Sequence, residues 1–178
     1  MKAIKIRIPT TTYIKKYLQI HYGPQIMINN HNPIGVMVIA LLHKKSITAM
    51  TLALKDTRFI KFNDELICTA PWKLRYLAGI HLDDDGVIQL NRFFEASFEE
   101  TLYQFVRFQI TTPGRYPGYD EALNRFADRY GIELDDDISF DGLKKIEYRY
   151  RKKVEKYMPS FVPEDRYLSK QGILFEDR

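Results

Sequence analysis

Phe94, Phe98, Leu102, Phe105 and Val106 recur at intervals of four, four, three and one residues, a spacing that only an α-helix gathers onto one side. Glu95, Glu99 and Glu100 fall on the other side. The stretch predicts an amphipathic helix from about Asn91, stopped by Pro113 and Gly114. So apolar a face has to be covered by other elements, which constrains the chain to a packed fold. The hydrophobic fraction of 45% and the aromatic fraction of 13% supply the cover and exclude a wholly disordered chain. Domains usually run to roughly 100–200 residues, so a length of 178 fits one domain, or two small ones sharing a core.

The N-terminal segment has a different period. Ile4, Ile6 and Ile8 alternate with Ala3, Lys5 and Arg7, which predicts a half-buried strand. Pro9 and the threonines 10–12 end it and offer a helix cap. Tyr13, Ile14, Tyr17, Leu18 and Ile20 follow at helical spacing up to Gly23, a helix stop. A polar loop leads to Asn32-Pro33, a cap and first-turn pair for a short apolar helix from Ile34 to about Leu42. Residues 50–69 read as β-structure with a turn at Asp56-Thr57. Pro71 to Gly79 reads as a short helix, and Asp83-Asp84-Asp85-Gly86 as a turn.

Two more helices are expected. One spans Tyr119 to Tyr130, with Leu123, Phe126 and Ala127 inward. The other spans Ser139 to Tyr157, with Leu143, Ile146, Tyr150, Val154 and Tyr157 on one stripe. Phe108 and Phe93 lie off the main stripe of their helix and are candidates for a partner surface. The tail beyond residue 157 carries Phe161, Tyr167, Leu168, Ile173, Leu174 and Phe175 and is expected to pack on the body or on a partner. The fold class is α+β: an N-terminal strand-helix-helix, a short antiparallel β-region, then a mostly helical C-terminal half. Residues 1–82 form the basic part and 83–178 the helical part.

Several function classes find no support. The longest apolar run, Ile34 to Leu42 counting Gly35, falls far short of the ~20 residues of a membrane span. The N-terminus mixes charge with apolar residues, unlike an export signal, so the expected location is the cytoplasm. Cys68 is the single cysteine; its apolar neighbours predict an inert buried thiol. His21, His31, His43 and His81 lack zinc-ligand spacing. The Asp83–Asp85 and Asp135–Asp137 runs lack a calcium-loop pattern and read as turns and helix caps. No glycine loop for phosphate and no nucleophile elbow occurs. No catalytic residue, metal, cofactor or small-molecule ligand is assigned.

Charge is the informative feature. Residues 1–82 hold 12 Lys/Arg against 3 Asp/Glu, residues 83–141 hold 5 against 14, and residues 142–157 hold 7 against 2. A solvated surface ordinarily intermixes signs. In the last helix Lys145, Arg149, Lys152 and Lys156 fall at i, i+4, i+7 and i+11, a basic stripe beside the apolar one and suited to phosphates. With the helix before it this makes a helix pair, but residues 131–138 are long for a helix-turn-helix connection.

The order of elements over residues 3–43, with its proline-threonine break, resembles the ribbon-helix-helix DNA-binding family. The resemblance implies a dimer whose paired strands enter the major groove, with Ala3, Lys5 and Arg7 outward and Ile4, Ile6 and Ile8 toward the dimer core. Lys2, Lys15 and Lys16 would add phosphate contacts. The expected function is therefore nucleic-acid binding, to double-stranded DNA, by a regulatory or accessory protein. The alternative is a non-enzymatic assembly protein whose basic and acidic zones pair between subunits, as in a homodimer.

Overall fold

The computed structural model describes residues 3–42, 61–79, 81–111 and 118–157. The elements follow in the order β1 (Ala3–Thr10), α1 (Thr12–Tyr22), β2 (Ile26–Met27), α2 (Pro33–Leu41), β3 (Asp64–Pro71), α3 (Leu74–Leu77), α4 (Asp84–Thr111), α5 (Tyr119–Tyr130) and α6 (Phe140–Tyr157). The fold is α+β with a mostly helical C-terminal half. It forms two compact units. The first comprises Met1–Phe98 with Tyr130–Glu133, and the second Glu99–Arg129 with Leu134–Arg178.

In the first unit the alternation of β1 places Ile6, Ile8 and Thr10 inside and Ala3, Lys5 and Arg7 outside. β1 pairs antiparallel with β3, Ile6 opposite Cys68 and Ile8 opposite Leu66. The two-residue β2, within the expected loop, pairs with the far edge of β3 in parallel, giving the order β1-β3-β2. Cys68 is buried, and burial pushes its thiol up to about 12, as befits an inert core group. Asn32 caps α2, its side chain accepting from the Gly35 amide. A Cβ on Gly35 would collide with the backbone of Asn29, so only glycine lets this turn close.

α4 starts seven residues before the expected Asn91, and the Asp83–Gly86 stretch is its N-terminus. Asp83 Oδ1 accepts from the Gly86 amide at 2.7 Å, the bond of an N-cap. Asp84 and Asp85 occupy the first turn, where carboxylates complement the helix dipole. Val87 and Leu90 are buried and carry the Phe94 stripe back by two turns. The expected helix from Pro71 shrinks to α3, because Pro71 is still in register with Ala3 as the last residue of β3. The β-structure and turn expected at residues 50–60, the stop at Pro113-Gly114 and the tail lie outside the described residues.

A buried polar knot ties β1 to α4. Thr10 donates to Asn91 Oδ1 at 2.7 Å, and Asn91 Nδ2 donates to the carbonyls of Pro9 at 2.8 Å and Val87 at 3.0 Å. Both side chains are buried. Alanine at position 91 strips the partners from Thr10 and Pro9 and should cost about 2 kcal/mol, read as a lower urea midpoint. A Thr10→Val change in that background should add little. Full additivity of the two changes contradicts the knot.

In the second unit Phe105 meets the Phe126 ring edge-on at 5.5 Å, Tyr103 meets Tyr150 at 5.5 Å, and Leu143 is fully buried. These contacts join α4, α5 and α6.

Candidate functional site

α6 begins where Ser139 Oγ accepts from the Gly142 amide at 3.0 Å. The preceding turn is closed by Asp135, whose amide donates to Ile138 O at 2.9 Å and whose φ of 73° is a conformation Asp tolerates better than most residues. Asp135 thus serves turn geometry, and its Oδ1 also accepts from the Phe140 amide at 3.4 Å. The inner face of α6 carries Leu143, Ile146, Tyr150 and Val154, buried or half-buried. Tyr157, expected on that stripe, is 67% exposed.

Glu147 also points inward and is 1% exposed. Tyr119 donates to its Oε2 at 2.6 Å, and Arg151 Nε lies 3.7 Å from the same oxygen. Burial pushes the Glu147 carboxyl above its ordinary value, against the Tyr119 hydrogen bond and the charges of Arg151 and Arg107. Glu147 is one of the two acidic residues against seven basic ones in 142–157, and its place four residues from Leu143 and three from Tyr150 is the signal in the sequence that it faces inside.

The outer face is basic. Lys145, Arg149, Lys152 and Lys156 are all exposed and lie within about 60° of arc over about 16 Å of helix. Lys152 meets Glu155 at 3.3 Å, an exposed pair worth little. Lys145, Arg149 and Lys156 have no ion pair among the described residues. Lys153 is exposed beside them, and Lys156 Nζ sits 5.0 Å from the Tyr157 ring centre. Lys144, by contrast, is bound to Asp120 at 2.9 Å.

The N-terminal cations fare differently. Lys5 is exposed and without an ion pair among the described residues. Arg7 approaches Glu65 at 3.5 Å with both side chains largely in water. Lys15 binds Asp64 at 2.8 Å and Lys16 binds Glu133 at 2.9 Å. Burial alone would raise the Asp64 carboxyl, but the hydrogen bonds from Lys15 and the Glu65 amide, with the charges of Lys15 and Lys16, hold it below its ordinary value. Lys15 and Lys16 are therefore engaged with carboxylates. Lys2 lies outside the described residues.

Comparison with protein-family models, curated proteins and solved structures finds no match. What this surface binds has to follow from its own charges. Among the described residues no three His, Cys, Asp or Glu side chains are grouped to hold a metal ion, and no helix is long and apolar enough to cross a membrane. Ile6 and Ile8, on the inner face of β1, are buried within a single chain. Phe108 is exposed, whereas Phe93 is half-buried against Phe94.

Proposed function

We propose that this is a cytoplasmic regulatory or accessory protein that binds nucleic acid, holding the backbone of double-stranded DNA against the outer face of α6. The observation that carries this reading is the line Lys145, Arg149, Lys152, Lys156: four exposed cations in one arc with no carboxylate inside it. Glu147, the acidic residue nearest the middle of the helix, is turned into the interior and leaves the outer field positive. Cations so placed displace condensed counterions from a phosphate backbone, which drives binding without reading sequence. Of the cations expected on the N-terminal segment, Lys15 and Lys16 are occupied by carboxylates, so α6 is the stronger surface.

Anisotropy of a labelled duplex titrated with protein at increasing salt tests this. If the four cations each meet a phosphate, affinity falls about a hundredfold between roughly 50 and 200 mM salt. Replacing all four by alanine should flatten the log–log salt slope by about 3–4 units. The positions are exposed, so the melting temperature should move little. A wild-type protein that ignores duplex DNA at low salt, or a variant with the wild-type slope, refutes the reading.

A further inference from the structure

The outer edge of β1 has a defined set of hydrogen-bonding groups. The Ile28 amide donates to Thr69 O at 2.8 Å, so Thr69 directs its backbone toward β2. Alternate residues of a strand direct their backbone groups to opposite edges. Cys68 and Ala70 therefore face β1, and Thr69 does not bond its cross-strand neighbour Lys5. It follows that Ile4, Ile6 and Ile8 make the ladder with β3, while Ala3, Lys5 and Arg7 turn their N–H and C=O groups outward. The two prolines of the pair agree with this: Pro9 faces Glu65 and Pro71 faces Ala3, both at positions where no amide is needed. Among the described residues no strand lies along that outer edge.

The side chains beside the edge select what can add to it. Lys5 and Arg7 stand on the exposed face of β1, and Ile4, on the opposite face, remains half-buried. A second copy of β1 is a poor occupant. Centred on Lys5, a two-fold antiparallel pair sets Lys5 against Lys5, and centred on Arg7 it sets Arg7 against Arg7; like charges directly opposed destabilise a sheet. Lysines on an edge strand commonly serve to block such pairing. The same cations favour a strand with carboxylates on one face and apolar side chains on the other. Its carboxylates would meet Lys5 and Arg7, the latter held among the described residues only by the exposed 3.5 Å contact to Glu65, and its apolar side chains would extend the cover over Ile4.

We propose that the outer edge of β1 is a docking site for an acidic, extended segment of a partner protein, which adds to the sheet as a fourth strand through the backbone groups of Ala3, Lys5 and Arg7. The mode is strand addition, with main-chain bonds giving affinity and alternate side chains giving selectivity. It is independent of the α6 face, and variants of the two surfaces should act on different ligands.

The test uses the full chain and a short blocked peptide alternating glutamate with valine. In the free protein the amides of Lys5 and Arg7 should exchange with solvent much faster than those of Ile6 and Ile8. Saturating peptide should slow the first pair by roughly tenfold or more, since each gains an acceptor. Lys5→Pro removes an outward amide while sparing the ladder to β3, as Pro9 already does within the same strand; binding should fall roughly tenfold. Should that variant fold poorly, Lys5→Gln with Arg7→Gln keeps the backbone intact and should weaken binding roughly fivefold. The four-alanine variant of α6 should bind the peptide as the wild type does. Four results overturn the proposal: Lys5 and Arg7 amides already protected in the free chain, equal binding of a lysine–valine peptide, exchange at the edge unchanged by bound peptide, or self-association protecting these amides in place of the peptide. Displacement of the peptide by duplex DNA assigns the strand cations to nucleic acid and likewise overturns it.

Discussion

Glu147→Ala is expected to remove about 3–5 kcal/mol of folding stability, the loss typical of deleting one partner from a buried charged pair. The alanine leaves the Tyr119 hydroxyl without its 2.6 Å acceptor and takes from the Arg151 guanidinium, itself largely buried, the carboxylate 3.7 Å away. Burial, and secondarily the charge of Glu147, pushes the Tyr119 hydroxyl up, so in the variant it stays a neutral donor with nothing to donate to. The pH dependence has a defined sign. Burial holds the folded Glu147 carboxyl above its ordinary value of 4.5, so the folded state binds this proton more tightly than the unfolded chain. The resulting stabilisation is complete below 4.5 and is lost as pH rises through the folded value.

Glu147→Gln separates charge from hydrogen bonding. It keeps an acceptor for Tyr119, costs about 1–2 kcal/mol, and should abolish the decline of stability above 4.5 that the wild-type carboxyl contributes. Urea denaturation of the three proteins from acid to neutral pH makes the comparison. An alanine variant as stable as the wild type, or a glutamine variant with the same pH profile, contradicts the account. Because Glu147 ties α6 to α5, the alanine variant should also bind DNA less well on the proposed reading.

Phe98→Ala should cost about 4 kcal/mol. Phe98 is 1% exposed and receives two aromatic edges from α1, Tyr13 at 5.1 Å and Tyr17 at 5.3 Å. Deleting the ring loses its transfer energy, opens a cavity and removes edge-to-face pairing worth about 0.5–1.5 kcal/mol per pair. Tyr17 is also held by the hydrogen bond that its hydroxyl donates to Ser97 O at 3.1 Å, which limits how far the site can collapse. Ile20→Ala is the control: at 59% exposed it should change stability by less than about 0.5 kcal/mol. Comparable losses at the two positions refute the assignment of the core.

Much of the architecture could be read along the chain because it rests on local rules. The period-two run became β1, Asn32-Pro33 became the start of α2, and the stripes centred on Phe98, Phe126 and Leu143 became α4, α5 and α6. Local rules also misled. Three aspartates before a glycine suit a turn and a helix start equally, and only the burial of Val87 and Leu90 separates them. β2, with two residues, is too short to show any period.

The candidate surfaces divide in the same way. Periodicity alone puts Lys145, Arg149, Lys152 and Lys156 on one side of a helix, and it puts Lys5 and Arg7 on one side of a strand. Which of the chain's cations meet a carboxylate depends on partners far away in sequence: Lys15 finds Asp64, Lys16 finds Glu133 and Lys144 finds Asp120. The inward turn of Glu147 and the outward edge of β1 are likewise products of packing. The order of residues determines helix and strand periods because these depend on neighbours a few positions apart. Charge pairing, sheet order and buried hydrogen bonds join residues separated by tens of positions, so they exist only once the chain has folded.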